Sequence, residues 1–207
     1  MTTFLLIRHG NNDMLDRRVL IGRSPGISLN ADGRRQATAL AGYLAALPIR
    51  AVYSSPMERT RETAAPLAER LGQPVRILEE INEVDFGEWT GFDFDRLSGD
   101  PRWKTYRTFR SGGRIPGGEM LVQVQQRMIA ALEALRQQHA RDMVALFSHG
   151  DPIRSALAHF LGIPLDMIKR LRIGTASVSV VDYSSRGAAV QCVNHVAADG
   201  TFPIDHF

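Results

Sequence analysis

Two short apolar runs, residues 4–7 and 143–147, each deliver a histidine followed by a glycine: Arg8-His9-Gly10 after the first, Ser148-His149-Gly150 after the second. Runs of four or five apolar residues are too short for a helix, and their lack of alternation predicts strands buried on both faces. Each glycine lets the backbone turn sharply beside its histidine. A fold that satisfies both runs must bury two strands inside one sheet and release both histidines where those strands end.

The chain between them alternates helical and strand patterns. Asn30 is a cap for a helix whose buried face carries Ala37, Leu40, Ala41 and Leu44 and which stops at Leu47-Pro48. Residues 51–53 read as a strand, 54–56 as its turn, and 57–71 as a helix closed by Gly72; 75–78 is a further strand. Leu121, Val124, Met128, Leu132 and Leu135 form one stripe of a long helix. After His149, Asp151 reads as a cap and Pro152 as a first helical residue, ahead of Ile153, Ala156, Leu157 and Phe160; strands 177–182 and 189–194 read as a hairpin at one sheet edge. This alternation implies a three-layer α/β fold, with a mostly parallel central sheet flanked by helices. Ligands in such sheets sit at the carboxyl ends of strands, where Arg8, His9, the 55–59 turn and His149 all fall.

At 207 residues the chain is expected to form a single domain, 1–207, with an inserted lid or cap at 83–118, where periodicity fails. That insertion is acidic from Glu83 to Asp100 and basic from Arg102 to Arg114. Its Trp103, Tyr106 and Phe109 are expected to pack inward, and its basic residues to face the acidic half. A net charge of +3 with basic residues spread along the chain argues against a nucleic-acid partner. No leader-like or membrane-length apolar run is present, so no membrane partner and a cytoplasmic location are expected. Cys192 is the only cysteine and reads as a packed residue; a homo-oligomer is compatible with the sequence. The six histidines lack the paired spacing of a zinc helix, and no nucleotide fingerprint occurs, so neither metal nor cofactor is expected.

Four segments in order resemble the histidine phosphatase superfamily, which also contains the cofactor-dependent phosphoglycerate mutases: Arg8-His9-Gly10, residues 54–64 (SSPMERTRETA), residues 83–91 (EVDFGEWTG) and Ser148-His149-Gly150. The resemblance implies a phosphoglycerate mutase-like fold and makes His9 the nucleophile that becomes a phosphohistidine. Arg8, Arg59 and His149 would form the phosphate pocket, and Glu83 the proton donor, with Asp85 and Glu88 as alternatives. Gly22, Arg23, Asn11, Asn12 and Gly150 would complete the substrate shell. Such a pocket suits phosphoryl transfer, whose transition state spreads charge over three oxygens. The family commonly has a glutamate or glutamine, then threonine or serine, then an asparagine three positions on, where this chain has Asn11, Asn12 and Leu15; this bears on specificity rather than on chemistry. The expected activity is hydrolysis of small phosphorylated metabolites. Mutase-type transfer and a weakly catalytic phospholigand-binding module are the alternatives; a compact insertion and short tail favour hydrolysis.

Overall fold

The structure, a computed structural model, describes residues 1–196. In chain order it runs β1 (Thr2–Arg8), a single turn α1 (Asp13–Asp16), α2 (Ala31–Leu44), β2 (Ile49–Ser54), α3 (Glu58–Leu71), β3 (Val75–Ile77), α4 (Phe94–Ser98), α5 (Pro101–Thr108), α6 (Leu121–Gln138), β4 (Met143–Ser148), α7 (Gly150–Leu161), β5 (Val178–Ser184) and β6 (Gly187–His195). The six strands form one sheet in the order β3-β2-β4-β1-β5-β6. Pairing is parallel from β3 through β1 and antiparallel from β1 through β6. The fold is therefore the three-layer, mostly parallel α/β arrangement expected.

The two histidine strands are buried neighbours. Along β1, Phe4 and Leu6 join the core cluster that holds α6 and α7, while Leu5 and Ile7 join the cluster that holds α2 and α3. Helices cover both faces, so no position on the strand can be polar without a buried partner, and the run reads as continuously apolar. Register pairs Arg8 with Ser148 and Ser54 with Phe147, so β1, β2 and β4 end together on one edge of the sheet. The His9 amide donates to the Ser148 carbonyl at 3.0 Å, carrying the pairing one residue past β1.

Local signals account for most helix ends. Asn30 caps α2, its side chain accepting from the Gly33 amide, and Gly72 ends α3 in the left-handed region at φ 63°. The cap of α7 is a correction: His149, not Asp151, occupies the N-cap position, which leaves the Asp151 carboxylate free for other partners. The aperiodic stretch also contains two helices, α4 and α5, capped by the side chains of Asp93 and Asp100. Both are too short, and too polar on their outer faces, to register as amphipathic. From this segment Trp89, Trp103 and Tyr106 pack into the same cluster as α6 and the sheet. Phe109 departs from the expected inward packing and is 53% exposed. The edge hairpin is present, with β5 and β6 slightly longer than expected and Cys192 half-buried, its thiol 3.9 Å from the Val178 carbonyl.

Candidate active site

His9 leaves β1 into a loop pinned by hydrogen bonds from neighbouring backbone and side chains. The Gly10 amide donates to Thr63 Oγ1, the Asn11 amide to Gln36 Oε1, and the Asn11 carbonyl accepts from the Asn30 amide. Gly10 and Gly33 meet backbone to backbone: a Cβ on Gly10 would lie 2.7 Å from the Gly33 carbonyl oxygen, and a Cβ on Gly33 would lie 2.8 Å from the Asn11 nitrogen. The loop thus packs directly on the first turn of α2.

The hydrogen bonds assign the tautomers of both imidazoles. His9 Nδ1 lies 2.8 Å from the Gly10 carbonyl, which can only accept, so Nδ1 carries the proton and Nε2 holds the free lone pair. His149 has the opposite arrangement. Its Nδ1 faces Arg59 Nη2 at 3.1 Å, and a guanidinium can only donate, so the proton sits on Nε2. From there a directed chain runs through Ser55 Oγ (2.7 Å) and Thr60 Oγ1 (2.8 Å) to the Met57 carbonyl (2.8 Å). The two rings stand edge to face, 5.3 Å between centroids.

Both histidines are held well below their ordinary pKa, chiefly by burial, with Arg59 and Arg8 adding positive charge around each. The imidazoles are therefore neutral at physiological pH. Glu83 shifts the other way: burial raises its pKa, Asp151 adds to the rise, and Arg59 and Arg8 partly oppose it. Its Oε2 is 3.8 Å from His149 Nδ1, and Oε1 accepts from the Val84 amide. The two other candidate acids are committed elsewhere, Asp85 to the Gly87 amide and Glu88 to Arg102 at the surface.

Among the described residues, several buried donors have no protein partner: Arg8 Nε, Arg59 Nε and Nη1, and Asn12 Nδ2. Unpaired buried donors are expensive, and four from residues gathered at one sheet edge make a site for an anion rich in acceptors. Arg59 is oriented by the Gly22 carbonyl at 2.8 Å, Arg8 by the Ile173 carbonyl at 2.7 Å, and Gly150 begins α7 beside them. Gly22 holds φ 48°, the left-handed turn that aims its carbonyl at Arg59.

Two expected members of the shell lie elsewhere. The Asn11 amide group turns outward to Asp16. Arg23 is committed to the Glu83 carbonyl and to Glu119, a carboxylate that it shares with Arg127. Arg127 also donates to the Glu83 carbonyl at 3.1 Å, so two arginines fix the backbone beneath Glu83. Sequence reasoning missed Arg127 and Glu119, which no local pattern marks. Ser55 and Thr60 fall within the second motif, which does not by itself reveal their place in the relay from His149. Among the described residues no group of three or more His, Cys, Asp or Glu side chains is arranged to hold a metal ion.

The model of the histidine phosphatase superfamily (branch 1) matches residues 4–196. The chain belongs to that superfamily. A bifunctional protein of Mycobacterium tuberculosis is 34% identical over 93% of this chain, which spans 54% of that relative's length. The chain thus covers about half of the first curated relatives that it matches. A Klebsiella pneumoniae protein named as a probable phosphoglycerate mutase is 33% identical, over 88% of this chain and 86% of its own. Among solved structures, Entamoeba histolytica phosphoserine phosphatase superposes with a TM-score of 0.86 at 24% identity, covering 94% of this chain and 97% of that one, a likeness of fold. The histidine phosphatase fold here thus brings together the five residues that the motifs singled out: Arg8, His9, Arg59, Glu83 and His149.

Proposed function

We propose that this histidine phosphatase superfamily member hydrolyses small phosphomonoesters through a phosphohistidine on His9. One observation carries the proposal: a neutral imidazole with a free Nε2 lies among buried guanidinium and amide donors that have no protein partner. His9 Nε2 attacks phosphorus, the bond from phosphorus to the ester oxygen breaks, and the leaving oxygen takes the proton of Glu83. Water then gives a proton to Glu83 and attacks the same phosphorus, the bond to Nε2 breaks, and phosphate leaves. Arg8, Arg59 and Asn12 would hold the three equatorial oxygens. His149, kept neutral with Nε2 protonated, presents the Nδ1 lone pair to Arg59 and so orients that guanidinium.

The raised pKa of Glu83 supports its double role, since it must carry a proton in the first step and release it cheaply. Residues 83–118 would cap this site within one domain, and their modest size favours water over a retained second substrate. The scheme needs no metal. No helix among the described residues is long and apolar enough to cross a membrane, and the lone cysteine fits a reducing compartment such as the cytoplasm. The test is a screen of phosphorylated metabolites with a chelator present, following phosphate release, beside His9→Ala. Release by the wild type with an acid-labile, base-stable phosphoprotein is expected. Full turnover by His9→Ala would refute the nucleophile, and bisphosphate-dependent phosphoglycerate interconversion without net hydrolysis would show a mutase.

A further inference from the structure

The phosphoryl chemistry leaves one cluster of charged side chains without a task. Arg23, which lies outside the phosphate pocket, meets Arg127 of α6 and Glu119 at the far root of the inserted segment. Glu119 takes Arg127 with both oxygens, Oε1 at 2.8 Å from Nε and Oε2 at 3.1 Å from Nη2, and Oε2 also takes Arg23 Nη2 at 3.0 Å. The remaining donors point at backbone. Arg23 Nε and Arg127 Nη2 both donate to the Glu83 carbonyl, at 2.8 and 3.1 Å, and Arg127 Nη1 donates to the Glu80 carbonyl at 2.5 Å. One donor satisfies a backbone carbonyl, so two guanidiniums on the same oxygen, both set by a carboxylate from the other end of the insertion, exceed what the backbone alone requires.

The peptide that they hold is the one that governs the acid. The Glu83 carbonyl and the Val84 amide belong to the same planar unit, so fixing the carbonyl fixes the direction of the N–H. That N–H donates to Glu83 Oε1 at 2.9 Å. Oε1 is thereby an acceptor, and the proton of the neutral carboxyl belongs on Oε2, the oxygen 3.8 Å from His149 Nδ1. The two roots of the insertion close around the same peptide: the Glu119 amide donates to the Asp85 carbonyl and the Glu88 amide to the Pro116 carbonyl, each at 2.9 Å. The turn before Glu83 is tied to the second histidine strand, where Ser148 Oγ donates to the Ile81 carbonyl at 2.7 Å. Glu83 sits between these two anchors, and the arginines act on its own carbonyl.

We infer that Glu119, Arg23 and Arg127 are positioning residues for the proton donor: together they set the 83–84 peptide, which keeps Glu83 Oε2 as the proton-bearing oxygen on the His149 side of the pocket. The three act on the ester through Glu83. The inference rests on the proposed role of Glu83 as that donor. A carboxyl group swung off line by about 1 Å loses up to about 100-fold in proton transfer, whereas an ester whose leaving group needs no proton is indifferent to the shift. General damage to the pocket slows both kinds of ester alike.

The test compares glycerol 3-phosphate, an alkyl ester, with p-nitrophenyl phosphate. Arg127→Met is expected to lower kcat/KM for the alkyl ester about 10- to 100-fold, through kcat rather than KM, and to lower it far less for the p-nitrophenyl ester. Arg127→Lys, which keeps the charge and one donor, is expected to recover part of the loss. Glu119→Gln should show the same split more weakly, and Arg23→Gln, at a more exposed position, serves if Arg127→Met does not fold. Glu133→Gln, which breaks an ion pair with Arg136 further along α6, is the control and is expected to move neither ester. In a Glu83→Gln background the Arg127 substitution should add nothing, because the group that it positions is gone. Equal losses on both esters, or an Arg127 effect that persists in full beside Glu83→Gln, overturn the positioning role and leave the phosphatase standing. If Glu83→Gln alone turns over both esters as the wild type does, the proton donor is misassigned and the inference falls with it.

Discussion

Replacing Gly33 by alanine sets two effects against each other, and the structure decides the sign. Gly33 lies in the first turn of α2, and helix propensity alone favours alanine over glycine by about 1 kcal/mol. The new methyl group, however, would stand 2.8 Å from the Asn11 nitrogen and closer still to its carbonyl oxygen, both backbone atoms, where ordinary contact begins near 3.4 Å. Backbone cannot rotate away as a side chain can, so α2 and the loop after His9 must separate by about 1 Å to clear the nearer carbonyl oxygen, an overpacking of the kind that costs roughly 1–3 kcal/mol. The net expectation is a loss of up to about 2 kcal/mol, or up to roughly 8 °C in Tm for a domain of this size. The displacement also acts on the residues following His9, and misplacement approaching 1 Å lowers turnover by up to about 100-fold. Gly42 is the control: it lies in the same helix with nothing within 4 Å of its added Cβ, so Gly42→Ala is expected to raise Tm with kcat/KM unchanged. Thermal melts and steady-state kinetics on both variants decide the matter. A Gly33→Ala protein that melts higher than the wild type and turns over normally would refute the contact.

Glu83→Gln should lower kcat/KM about 10²- to 10⁴-fold for an alkyl phosphate and far less for p-nitrophenyl phosphate, whose leaving group needs no proton. In the wild type, because the Glu83 pKa is raised and those of His9 and His149 are lowered, activity should persist below the ordinary histidine pKa and fall as pH rises through that of Glu83; a pH–rate profile that lacks this basic limb in the wild type, or keeps it in Glu83→Gln, contradicts the assignment. Ser55→Ala leaves His149 Nε2 without an acceptor and should cost about 1–3 kcal/mol of stability. It should also lower kcat/KM, and Ser55→Thr should recover part of the loss; unchanged kinetics in the alanine variant would mean that the relay does not orient His149.

Much of the sheet was legible because its central strands are buried on both faces, and burial writes itself into residues 4–7 and 143–147 as unbroken apolar runs. The ends of α2 and α3 were legible through Asn30 and Gly72, whose conformations serve local hydrogen bonds. Arg8, His9, Arg59 and His149 were legible because motif and strand end coincide, whereas Glu83, which follows a 3₁₀ turn rather than a strand, was legible only through the resemblance. What escaped depends on partners far apart in the chain. Asp151 reads as a cap until Arg110 and Lys169, 41 and 18 positions away, approach its carboxylate. Arg23 reads as a ligand for substrate until Glu119, 96 positions on, takes its guanidinium. Helices α4 and α5 escaped because, at five and eight residues, they span too few turns to reveal a buried face, and Phe109 because nothing local separates an exposed aromatic residue from a packed one.

The position of β1 between β4 and β5 has a consequence for synthesis. Ribosomes add on the order of 5–20 residues each second, so the 140 positions separating Arg8 from Ser148 take roughly 7–28 seconds to appear. During that interval the earlier strand has neither of its neighbours, and an apolar segment with two open edges is what aggregation and chaperones both recognise. Nascent chains should therefore gain both solubility and a complete active site only when the fourth and fifth strands emerge, which makes catalytic competence a late signal that translation has gone well.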